Sequence, residues 1–140
     1  VAPTDDAAVP AARVLLAEDD AVNQLVVSAM LKKMGCLVDV VADGEAARSA
    51  VADGRYDLVF MDLHMPILDG FEATRRIRDD GLARGSYTPI VALTADALAG
   101  DRERCIDAGM DDYMTKPVRA AQLAAMVKQW AGSAAPSERG

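Results

Sequence analysis

The sequence predicts an α/β fold, a single doubly wound domain with a five-stranded parallel sheet and helices on both faces. Three observations predict it. Short apolar runs alternate with stretches of helical periodicity, about five of each. Several runs are continuously apolar, the mark of strands covered on both faces. Parallel strands then need right-handed crossovers, which place helices on both sides of the sheet.

The elements follow in order. "RVLLA" is a buried strand. Val22, Leu25, Val26, Ala29, Met30 and Lys33 have helical spacing, and Gly35 suits the C-terminal cap. "LVDVVA" is the second strand, and Asp43 caps a helix through Ala46, Ala47, Ala50 and Val51 to Gly54. "YDLVFMD" is the third strand; Gly70 leads into "FEATRRIRDD", whose Arg75, Arg76 and Arg78 are expected on a solvated face. "PIVALTA" is the fourth strand, followed by a weak helix, "AGDRERCIDAG". "DYMTK" is the fifth, and Pro117 opens a last helix with the stripe Leu123, Met126, Val127 and Trp130. Residues 1–12 and 132–140 are small, Pro-containing and aperiodic, so they read as linker or tail around a domain at 13–131. A start at Val1 is expected of a piece of a longer polypeptide.

Composition removes several function classes. A length of 140 residues suits one domain. A net charge of −7 argues against direct contact with nucleic acid, whose phosphates require a basic face. No apolar run approaches the ~20 residues of a membrane span, so no direct membrane contact is expected. Cys36 and Cys105 lack metal-ligand spacing and read as buried thiols of a reducing cytoplasm.

The polar residues gather at strand ends. The first strand runs into Glu18, Asp19 and Asp20; the third ends at Asp62, the fourth at Thr94 and the fifth at Lys116. Ligands of open parallel sheets bind outside the carboxyl ends of the strands. A strand order of 2-1-3-4-5 makes those four strands adjacent. Converging carboxylates repel unless a cation joins them. Oxygen donors without His or Cys select a hard ion, here Mg²⁺. Lys116 supplies a point charge for phosphate and Thr94 a hydroxyl. Together they suit a phosphoryl group carried on Asp62.

At these residues the chain resembles the receiver domains of two-component response regulators. The likeness covers about Arg13 to Trp130 and rests on "VLLAEDD", "VFMDLHMPILDG", "PIVALTA" and "DDYMTKP" in that order. "AEDDAVNQ" and "DDYMTKP" look most like receivers of hybrid histidine kinases. The resemblance implies the flavodoxin-like (βα)5 fold, with Asp62 as phosphoacceptor. It implies Asp19, Asp62 and the His64 backbone carbonyl as Mg²⁺ ligands, with Glu18 acting through water. It implies Lys116 and Thr94 as phosphoryl contacts, Thr94 and Tyr113 as a switch, and a cis Lys116–Pro117 bond. The implied partner is a histidine kinase or histidine phosphotransfer domain, and the signal leaves by the face of the fourth helix, fifth strand and fifth helix. A weak homodimer through that face is left open. Such a domain is not a stand-alone enzyme, although it catalyses its own phosphotransfer and dephosphorylation. Asp20 replaces a common Asn and Val118 a common Phe, without removing a required group. The alternatives are a Mg²⁺-dependent phosphatase with an aspartyl nucleophile and a phosphorylation-independent docking module. A flavin-binding module is more distant still, because the loop after the first strand has no Ser/Thr/Gly phosphate cradle.

Overall fold

The computed structural model describes residues 12–54, 56–95 and 99–131. The tail assignments lie outside these residues, except at Ala12. The sequence alternation becomes β1 (Arg13–Ala17), α1 (Ala21–Lys33), β2 (Leu37–Val41), α2 (Gly44–Asp53) and β3 (Leu58–Asp62). It continues with α3 (Gly70–Arg84), β4 (Ile90–Thr94), α4 (Ala99–Ala108), β5 (Asp112–Thr115) and α5 (Ala120–Met126), extended by a π-helical turn, Val127–Ala131. The strands are parallel, in the order β2-β1-β3-β4-β5. The expected fold class and strand order are therefore present.

Burial explains why the runs became strands. Every residue of β3 and of β4 is buried, as a strand sandwiched between two helical layers must be. One layer of core joins Leu15, Val59, Met61 and Ile90 to α2, α3 and α4 through Ala47, Phe71, Ile77 and Cys105. The other joins Val14, Leu16, Phe60 and Leu93 to α1 and α5 through Val27, Leu31 and Leu123. Each fully buried Leu or Phe contributes about 1.5–3 kcal/mol.

Caps set the helix starts. Asp20 accepts from the backbone N–H groups of Val22 and Asn23, and Asp43 accepts from that of Ala46 at 2.7 Å. Asp69 does the same for α3, accepting from the Glu72 N–H at 2.9 Å. The last helix starts at Ala120, three residues after Pro117.

Two expectations are corrected. The buried face of α1 is Val27, Ser28 and Leu31, whereas Val22, Leu25 and Val26 are 68%, 73% and 43% exposed. Apolar residues nearly encircle this helix, so two stripes fit the helical period and only packing on β1 and α5 chooses between them. Arg78 is not solvated. Its side chain is 16% exposed and pairs with Asp111 at 2.9 Å. It also donates to the carbonyls of Gly109 and Thr88 and to the Tyr87 hydroxyl, stitching α3 to the loops entering β4 and β5.

A candidate phosphoacceptor and metal site

The strands deliver their terminal side chains to one edge. β1 continues into Glu18, whose N–H donates to Val41 O and whose carbonyl accepts from Gln24 Nε2 at 2.6 Å. β3 ends on Asp62, buried at 4% exposure. β4 ends on Thr94, buried at 1%. Lys116 directly follows β5 and is joined to Pro117 by a cis bond, and its N–H donates to Thr94 O at 2.8 Å. That hydrogen bond continues the β4–β5 ladder past its last pair and holds the lysine beside Asp62.

The side chains converge. Lys116 Nζ lies 3.0 Å from Glu18 Oε1 and 3.4 Å from Asp62 Oδ2. Carboxylate oxygens of Glu18, Asp19 and Asp62 all lie within 4.8 Å of one another. Glu18 is fully buried and Asp19 exposed, so the cluster opens outward on the Asp19 side. The His64 N–H donates to Asp62 Oδ1 at 3.2 Å, and the residue itself is exposed. Tyr113 lies half-buried on β5, packed against the α2–α4 side of the core. Next to it, Asp112 Oδ2 accepts from Trp130 Nε1 at 3.2 Å. Of the seven residues singled out in the sequence, six lie at or just past the carboxyl ends of four adjacent strands, and Tyr113 lies inside β5.

The electrostatics are unbalanced. Burial pushes the Glu18 carboxyl up; Lys116 opposes this and neighbouring Asp62 adds to it. Burial pulls the Lys116 ammonium down, but Glu18 and Asp62 outweigh it and the net shift is upward. Among the described residues three carboxyl groups gather around one ammonium, so acidic groups outnumber the cation that pairs with them. The donors are all oxygen, without nitrogen or sulfur, so the set fits a hard divalent ion such as Mg²⁺.

The loop after Asp62 is held firmly. A Cβ on Gly70 would meet the Asp62 carbonyl oxygen, and one on Gly44 the Leu68 carbonyl oxygen. Only glycine permits backbone to approach backbone this closely. The loop is thus clamped between its own strand and the start of α2. Sequence reading missed the Gln24 brace and the loop residue Ile67, whose φ is +69°. The first is a side-chain bond to backbone that leaves no periodic trace.

Comparison with known proteins agrees with this geometry. Residues 14–128 match the family model of the response regulator receiver domain. Sensor protein GacS of Pseudomonas syringae pv. syringae is 46% identical over 125 residues, spanning 89% of this chain but 14% of that protein. The chain thus spans about a seventh of that relative's length. The receiver domain of the sensor histidine kinase PA1611 from Pseudomonas aeruginosa PAO1 is 46% identical with a TM-score of 0.80, covering 88% of this chain and 99% of that one. Its crystal structure has a magnesium ion coordinated in the active site cleft. The receiver domain of Saccharomyces cerevisiae Ssk1, co-crystallised with the histidine phosphotransfer protein Ypd1, is 32% identical with a TM-score of 0.86, covering 90% of this chain and 92% of that one. With the sheet order, the acidic edge and the family match in agreement, this chain belongs to the response regulator receiver domain family.

Proposed function

We propose that this domain accepts a phosphoryl group from a phosphohistidine onto Asp62, as one step of a phosphorelay. The observation that carries the reading is the buried Asp62 carboxylate beside Lys116, with Glu18 and Asp19 within reach of one shared cation. Asp62 attacks phosphorus in line. A carboxylate O–P bond forms, the P–N bond to the imidazole breaks, and the electron pair returns to that nitrogen. Lys116 neutralises one phosphoryl oxygen and Thr94 donates its hydroxyl to another. Asp19, Asp62 and the His64 carbonyl would hold Mg²⁺, with Glu18 reaching it through water; when bound, the ion offsets charge on the phosphoryl oxygens.

The domain covers residues 13–131 in this reading. Thr94 and Tyr113 relay occupancy to the face of α4, β5 and α5. The donor is a histidine kinase or a histidine phosphotransfer domain, and the exposed Val22, Leu25 and Val26, on the helix that starts at the site, offer it an apolar surface. The similarity to kinase receivers supports residence within a hybrid histidine kinase. Among the described residues no helix is long and apolar enough to cross a membrane. Both cysteines are buried outside any disulfide, which suits a reducing, cytoplasmic setting.

Incubation with Mg²⁺ and acetyl phosphate tests this. Intact mass is expected to show one added phosphoryl group, absent in Asp62→Asn. Equal labelling of Asp62→Asn, or none of the unsubstituted chain, would overturn the reading.

A further inference from the structure

Every polar group of the buried Glu18 has a partner in the chain. Its N–H donates to Val41 O at 3.0 Å, and its Oε1 lies 3.0 Å from Lys116 Nζ. Its Oε2 accepts from the Asp20 N–H at 3.1 Å, and its carbonyl accepts from Gln24 Nε2 at 2.6 Å. The last bond comes from a residue six positions ahead, in the first turn of α1. Helix side chains lean towards the amino end, so a residue there can reach back to the strand that precedes it. The backbone N–H of Gln24 also donates to Asp20 O at 2.9 Å. One residue thus grips the main chain on both sides of Asp19, at the Glu18 carbonyl before it and the Asp20 carbonyl after it. Asp19 itself is exposed, and among the described residues no hydrogen bond or ion pair holds its carboxylate. Its direction is therefore set by the backbone that carries it.

We infer that Gln24 is a positioning residue for the cation that Glu18, Asp19 and Asp62 would share: by fixing the peptide unit between Glu18 and Asp19, it aims the Asp19 carboxylate into the cluster. The inference rests on the phosphoacceptor reading. Oxygens of the three acids lie within 4.8 Å of one another. Like charges that close repel, and Asp19, the exposed member, is the one free to swing away into solvent. A backbone braced on both sides opposes that swing before any ion arrives. Preorganisation of this kind is what lets a group behind a ligand tune the affinity of a metal site. The residue type suits the task. An amide donates to a carbonyl without bringing a charge, whereas Lys would compete for the carboxylates and Glu would add a fourth acid.

Calorimetric titration of the whole chain with Mg²⁺ tests this. For Gln24→Met, which keeps the length and removes the donor, the Mg²⁺ Kd is expected to rise roughly 10-fold, as when a group supporting a metal ligand is lost. Gln24→Ala admits water to the Glu18 carbonyl, which spares stability but not aim, and shows the same weakening. Gln24→His keeps an N–H the same number of bonds from Cα, and at mildly alkaline pH, where the imidazole is neutral, it restores most of the affinity. Labelling by acetyl phosphate slows in both donor-free variants at low Mg²⁺ and recovers at saturating Mg²⁺. A purely structural brace would lower the melting temperature of the metal-free chain and leave Kd alone. Equal Kd values for Gln24→Ala and the unsubstituted chain would therefore overturn the inference, and so would a slower rate that saturating Mg²⁺ does not restore. An unsubstituted chain that binds no Mg²⁺ sinks the phosphoacceptor reading itself; one that binds it as tightly as the variants do sinks the positioning role alone.

Discussion

The two ends of the sheet carry charged networks of opposite character. At the amino end, one guanidinium meets one carboxylate: Arg78 pairs with Asp111, and its remaining donors go to the Gly109 and Thr88 carbonyls and the Tyr87 hydroxyl. Asp111 in turn accepts from the Ile90 N–H and from Tyr87. The charges balance and the donors are used. At the carboxyl end, Glu18, Asp19 and Asp62 share Lys116. The first network is closed and ties α3 to β4 and β5. The second is open, and its surplus charge creates demand for an ion and an incoming group. The fold thus separates structural from functional electrostatics by the length of its strands.

Substitutions sharpen that contrast, beginning with the closed end. Arg78→Ala leaves the partly buried Asp111 without its cation, so urea denaturation should show a loss of about 3 kcal/mol. Arg78→Lys should recover less than half, because an ammonium cannot reproduce the guanidinium fork. A loss below ~1 kcal/mol for Arg78→Ala would break the contrast.

The open end should respond in the opposite sense. Glu18 holds its proton to a higher pH folded than its ordinary 4.5, because burial disfavours the charge. Its contribution to metal-free stability is therefore full below that value and is lost as pH rises through the raised one. Glu18→Gln removes this loss. In EDTA the variant should gain on the unsubstituted chain as pH climbs from 4.5 to 8, by roughly 1.4 kcal/mol for each unit the carboxyl is raised. Mg²⁺ should stabilise the unsubstituted chain and help Glu18→Gln less. Thermal melts with and without Mg²⁺ across that range check both; a gap that narrows with pH would contradict the open-network view.

The smallest effect belongs to the solvent-facing edge of the closed network. Tyr87 is 63% exposed, and its ring lies 3.9 Å from the Arg78 guanidinium. Tyr87→Phe keeps the stacking and removes one hydroxyl, so denaturation should register about 0.5 kcal/mol. A cost equal to that of Arg78→Ala would shift the weight of the network from the ion pair to the tyrosine.

Strands and their polar ends were legible in the sequence because both are local patterns. Five residues of Leu58–Asp62 buried on both faces need five apolar or functional residues, and the acid that interrupts the run announces itself. The site followed because parallel strands bring their carboxyl ends to one edge. What escaped depends on contacts distant in the chain. Arg78 sits among arginines on a polar helix, and only the arrival of Asp111, thirty-three positions on, buries it. The face of α1 depends on which side meets Leu123 of α5, a partner nearly a hundred residues away. Ile67 gives no signal at all, since backbone angle is a property of the clamped loop and not of isoleucine.

The hydrogen bond from Trp130 to Asp112 has a practical consequence. Trp130 is the chain's single tryptophan, and its indole touches the residue beside Tyr113. Fluorescence excited at the indole band therefore originates from one place, against the strand that the switch would use. The molecule carries an intrinsic optical gauge of that strand, and a titration can be followed without attaching a dye.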